Sequence, residues 1–223
     1  MPDPALAPTA PRLPKQPEPG RVPSLEHDAA IAEVELSGLT LSGQDACGVK
    51  LEAARLLDCD LSSSRLESLR LLDCSLQGCN LANVTAHGAD LTRVEVTGGR
   101  LTGIALIEAG LTDVTIRDCR VDLAVLAGAS LTRVTFEGCL LCETSFMEAG
   151  LDSVRFLGCD LTAADFRGAG ISRCEFRRSR LSAVQGLTSL KGAAMELPDV
   201  IELAGELAAA LGIATLDEPP GAA

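Results

Sequence analysis

Tryptophan and tyrosine are absent from these 223 residues, and phenylalanine occurs five times. A chain so poor in rings has to build a narrow, aliphatic interior. Nucleic-acid binding loses its usual stacking platform for the same reason, and a net charge of −12 disfavours phosphate contacts as well. Histidine is nearly missing: His27 and His87 are too few and too far apart to make a zinc set. No run of about eighteen apolar residues occurs, so no helical membrane span is expected. No basic-then-apolar pattern opens the chain, so a cytoplasmic protein is expected. No phosphate loop, no nucleophile beside a base and no carboxylate pair in a concavity can be found. Neither an enzyme nor a metal- or cofactor-binding protein is therefore expected.

What is present is a period of five. Thirty consecutive positions, spaced by five from Leu36 to Leu181, are Leu, Ile, Val, Phe or Ala without one insertion. A smaller apolar residue stands two places before nearly every one. Neither a helix (period 3.6) nor a flat strand (period 2) keeps such a pattern in phase, so the chain is a solenoid. A longer period lies inside the short one. Cys59, Cys79, Cys119, Cys139 and Cys159 are separated by multiples of twenty, as are Phe136, Phe156 and Phe176. Stacked coils of twenty residues, four sides of five, predict a square β-helix of about 7–8 coils, roughly 35 Å long with a filled interior. Phe146 and Phe166 fall half a coil away, on the opposite side.

Units such as Cys159-Asp160-Leu161-Thr162-Ala163, Ala164-Asp165-Phe166-Arg167-Gly168 and Cys79-Asn80-Leu81-Ala82-Asn83 resemble the A(D/N)LXX pattern of pentapeptide-repeat proteins. The resemblance covers about two thirds of the chain. It implies a right-handed quadrilateral β-helix, and on function it implies little beyond a non-enzymatic rod serving as a protein-protein interaction scaffold. Some members of that family are acidic rods, dimeric through a C-terminal helix, that mimic duplex DNA. They protect DNA gyrase or topoisomerase IV from fluoroquinolones. Resemblance to them implies a topoisomerase as protein partner and a homodimer. This chain departs from them in its interspersed charges, in the basic cluster Arg173, Arg177, Arg178 and Arg180, and in having no looped-out insertion.

Three regions are expected in order. Residues 1–25 hold eight of the eleven prolines and should be a disordered or loosely polyproline II tail. Residues 26–186 should form the β-helix with an N-terminal cap. Residues 187–223 should give a linker, a helix at about 198–211 and a frayed end. Val200, Leu203, Leu207 and Leu211 make an apolar stripe on that helix, to cap the last coil or to pair with a twin. Gly212 followed by Ile213 is a natural stop.

Within the solenoid, glycine clusters two places after the central residue, a corner position. Gln44, Ser64 and Thr144 point inward and need polar partners. Most cysteines also point inward, as small fillers. Cys139 and Cys142 spell C-x-x-C, yet the register sends one in and the other out, so no metal site is expected there. Asp73, Arg93, Asp113 and Arg133 form one outward column of alternating sign, read as ion pairs on a wet surface worth under ~1 kcal/mol each. A second column breaks the polar rule. Ile107, Ala127 and Met147 stack outward beside Ala105 and Val125, with Leu123 across the corner and Glu108 and Glu148 flanking. Such a strip predicts a partner surface, or one covered by the proline-rich head or the tail after Ile213.

Overall fold

The computed structural model describes residues 7–20 and 22–213, and they form a four-sided parallel β-solenoid. Strands repeat in register at twenty residues: Leu71, Leu91, Leu111, Leu131 and Leu151 pair along one side. Phe136, Phe156 and Phe176 pair along the next. The other two sides are ladders of single parallel bridges, one through Asn80, Arg100 and Arg120, the other through Thr85, Ala105 and Val125. Every five residues the chain turns a corner by entering the left-handed region. Twenty-one residues other than glycine do so, with φ between 50° and 60°. Corner conformation is thus a property of the repeat and not of glycine alone. Its steric cost recurs at each corner and is offset by coil-to-coil bonds such as Asp118 N–H to Glu137 O at 2.9 Å.

Pairing runs further than the five-residue pattern. Glu18–Pro19 adds to Val34–Ser37 at one end, and Ala194–Met195 adds to Glu175–Arg177 at the other. Ten strands therefore stack on that side, nine coil-to-coil steps instead of the 7–8 coils expected. The central column itself ends at Gly186, with φ 74°, where an added Cβ would run into the backbone of Phe166 and Arg167.

The interior changes along the rod. In the C-terminal half the five phenylalanines are fully buried and interlock as two columns. Phe156 lies flat between Phe136 at 5.2 Å and Phe176 at 4.8 Å, and meets Phe146 and Phe166 edge-on. In the N-terminal half, leucine supplies the column and Ala86 interrupts it. There the filling is incomplete: an apolar void of about 50 Å³ lies among residues including Leu61, Leu81, Ala86, Leu101 and Leu106. The inward cysteines do more than fill space. Each thiol donates to a corner carbonyl of the preceding coil, as Cys139 Sγ does to Ile116 O at 3.3 Å. Ser64 and Thr144 serve the same purpose, donating to Leu41 O and Val121 O at 3.1 and 3.0 Å. This is the partner that an inward hydroxyl requires.

At the C-terminal end, the single helix expected at about 198–211 is divided. α1 (Leu197–Glu202) and α2 (Ala204–Ala210) meet at Leu203, which is buried on the last coil and plugs it. Pro198 sits in the first turn. The stop at Gly212 is as the sequence suggests: φ is 73°, Gly212 N–H reaches Ala209 O, and Ile213 N–H reaches Ala208 O.

The proline-rich head differs most from expectation. Residues 1–6 lie outside the described residues, but residues 7–20 form an extended strap laid along the rod, not a loose tail. Thr9 N–H bonds Asp113 Oδ1 at 3.0 Å, and Arg12 N–H bonds Asp73 Oδ1 at 2.9 Å. Arg55 Nη2 donates to Pro14 O at 3.1 Å. The polyproline-like alternative therefore describes this segment.

Candidate functional site

The outward apolar strip occupies the side of the rod formed by the Thr85–Ala105–Val125 ladder. Register places Ala105 beside Val125, and then Ser145 and Asp165, so the strip ends where the column turns polar. Ala105, Ile107, Val125, Ala127 and Met147 are half-buried, side chains lying flat against their neighbours in the stack. Leu123 stands at the adjoining corner with φ 59° and is 50 % exposed. Glu108 and Glu148 hold left-handed corners on the far edge and are exposed. The structure adds Leu140, 44 % exposed on the adjoining side, which column-by-column reading of one face passed over. None of these apolar side chains is covered by residues 7–20, which run along the corner through Asp73 and Asp113, diagonally opposite. The tail after Ile213 lies outside the described residues.

A second surface is the end cleft between the last coil and α1 and α2. It measures about 720 Å³ and is lined by Leu190, Met195, Val200, Leu207 and Leu211 among others, with Lys191 its one titratable side chain. The predicted stripe is split here. Leu203 is buried, Val200 and Leu207 are half-buried, and Leu211 is 69 % exposed. Leu197 and Ile201 are also exposed, so α1 and α2 keep an unpartnered apolar face.

The alternating corner is not a wet ladder. Arg93 grips Asp73 with both Nε and Nη2, at 2.6 and 2.7 Å, and Arg133 grips Asp113 in the same way. Both carboxylates are nearly buried, and each also accepts a strap amide. The arginine bond chiefly holds each carboxyl below its ordinary pKa, burial opposes this, and the strap amide adds to the lowering. Elsewhere the charges neutralise one another similarly: Arg117 pairs with Glu137, Arg167 with Asp165, Arg173 with Asp152, and Arg180 with Asp160.

Cys139 is buried and Cys142 half-buried, and their thiols address different carbonyls, Ile116 O and Asp160 O. Among the described residues, no three His, Cys, Asp or Glu gather as a metal site would require. No helix among them is long and apolar enough to cross a membrane.

Comparison with known proteins agrees with the architecture. Residues 124–185 match a family model described as a pentapeptide repeat region, and residues 70–106 match one described as pentapeptide repeats. No curated protein matches the chain. Among solved structures, HetL, a pentapeptide repeat protein involved in heterocyst differentiation regulation in the cyanobacterium Nostoc sp. strain PCC 7120, is 21 % identical. The match covers 78 % of this chain and 91 % of HetL, with a TM-score of 0.39. Trypsin-treated QnrB1, a plasmid-mediated fluoroquinolone resistance protein, is 18 % identical over 85 % of this chain and all of its own (100 %), with a TM-score of 0.40. Likenesses at this level carry no functional information.

Proposed function

Since the chain is a pentapeptide-repeat protein, we propose that it works as a non-enzymatic rod that docks a protein partner on the apolar strip of Ala105, Ile107, Leu123, Val125, Ala127 and Met147. One observation carries this reading: a stacked apolar surface on an otherwise charged rod, left open by every described residue of the chain. The strip is flat, as an interface requires, and the paired charges around it supply a polar rim. Because Val125 and Met147 face outward, Val125→Asp with Met147→Asp should leave stability nearly unchanged. Affinity capture with the wild-type chain and with this double variant tests the proposal. A partner retained by the former and lost by the latter supports it, and equal retention removes the strip as the interface.

The exposed apolar face of α1 and α2 supports a homodimer built end to end through the C-terminal helices. Ile201→Asp with Leu211→Asp should convert a dimer into a monomer in sedimentation without loss of fold. A wild-type chain already monomeric at tens of micromolar refutes the dimer.

A second reading, mimicry of duplex DNA toward gyrase or topoisomerase IV, is favoured by the net charge of −12. Against it stand the arginines paired along the rod, which break up any continuous negative track. Purified protein should inhibit supercoiling, or relieve quinolone-stabilised cleavage, with an effect that weakens as salt rises. No effect at tens of micromolar leaves the interaction rod alone.

A further inference from the structure

The strap and the charged corner fit each other in a way that neither the fold nor the proposed partner surface demands. Pro8, Pro11, Pro14 and Pro17 recur at every third residue, and all four are half-buried, whereas most residues between them are exposed. The two amides that bond the rod, those of Thr9 and Arg12, each follow one of these prolines. Their acceptors, Asp113 and Asp73, stand forty residues apart, which is two coils. Three residues of polyproline II rise about 9.3 Å. Two coils rise about 9.4–9.8 Å. The strap and the rod therefore share a common repeat.

The acceptors are prepared for this contact. Arg93 and Arg133 hold the two carboxylates by bidentate bonds, fixing their planes and leaving a lone pair of each Oδ1 directed at the strap. Further on, Arg55 donates to Pro14 O, and Gly20 N–H reaches Glu35 O at 2.8 Å. The bonds go to backbone groups, so the corner selects for an extended course and for proline spacing, and reads few side-chain identities.

We propose that the corner column Asp73/Arg93 and Asp113/Arg133 is a peptide-binding track for an extended chain with proline at every third residue, and that residues 7–20 are its resident ligand. The track is diagonally opposite the apolar strip and does not depend on the role proposed for the strip. A second peptide of the same pattern meets a track already filled, since a short tether gives the resident strap an effective concentration of about 1 mM.

The test uses the full chain. Thr9→Pro with Arg12→Pro removes both donating amides while keeping an extended strap, because proline favours that course in itself and in the residue before it. Amide exchange across residues 13–20 should accelerate at least about tenfold in this variant, with Leu111 to Phe136 unchanged. A labelled synthetic peptide of residues 7–20 should then bind the variant in trans at or below about 1 mM. Adding Asp73→Asn and Asp113→Asn should abolish that binding. A one-residue insertion between Thr9 and Arg12 of the wild-type strap, which breaks the three-to-two match, should also release one of the two amides. The proposal is overturned if strap exchange is unchanged by the prolines, if the peptide does not bind the vacated track, or if it binds equally without the two carboxylates.

Discussion

Replacing Phe156 by alanine tests the core arrangement at its most interlocked point. The ring is fully buried, with Phe136 and Phe176 stacked on its two faces and Phe146 and Phe166 at its edges. Phe→Ala in a core costs about 3–5 kcal/mol when the surroundings cannot close the hole. Here they cannot, since neighbouring coils are held at fixed spacing by their ladders, and each lost aromatic pair adds about 0.5–1.5 kcal/mol beyond area. The cost should therefore fall at the top of the range, about 5 kcal/mol. At about 2–4 °C per kcal/mol for a domain of this size, the melting temperature should drop by roughly 10–20 °C. Because each coil touches only its neighbours, the damage falls on two interfaces and should first loosen the segment around residues 136–176. Denaturant unfolding followed by circular dichroism, beside Thr132→Ala as an outward control worth under about 0.5 kcal/mol, measures the difference. Equal shifts for the two variants would refute the inward and outward assignment on which the whole register rests.

Ala86→Val should stabilise the leucine half: filling a void of about 50 Å³ at about 24 cal/mol per Å³ gives up to ~1.2 kcal/mol, read as a higher urea midpoint. Asp73 and Asp113 have folded pKa values below the ordinary 3.8, so the stability they lend the strap is complete above that value. It is lost as pH falls through the folded values, and exchange of residues 9–20 labelled at about pH 2.5 should exceed that at pH 5 after correction for intrinsic rates. Thiol reagent should modify Cys47 quickly, Cys142 slowly and the seven buried cysteines only on unfolding. Burial pushes Cys74, Cys79 and Cys119 up to about 11, away from thiolate reactivity. Rapid titration of all nine thiols in the native chain would contradict the inward register.

The repeat made the register legible: one apolar residue in five, in phase for thirty positions, determines which side chains face inward. Phe146 and Phe166 could be placed opposite Phe136 and Phe156 by arithmetic alone. What repetition does not encode was harder to read. The void beside Ala86 depends on how leucines of neighbouring coils lean, which a column of names does not state. The break at Leu203 comes from the last coil drawing one side chain in, a tertiary demand that overrides a continuous helical stripe. The strap was half visible. Prolines three apart and aspartates forty apart were both in plain sight, but they are commensurate only once both rises are expressed in ångströms.

Lying across several coils, the strap also constrains the order of events during synthesis. A solenoid can grow coil by coil, each new turn settling on the one before it. Thr9 and Arg12 leave the ribosome roughly 100 residues before Asp113 and its arginine are made, an interval of about 5–20 s at 5–20 residues per second. For that time the proline segment has nothing to bind beyond the earliest coils, and its extended, ring-stiffened backbone keeps it from seeking other partners. The contact that joins the beginning of the chain to its middle closes only after the middle exists. The strap therefore acts as a late clasp on a structure that otherwise grows from one end.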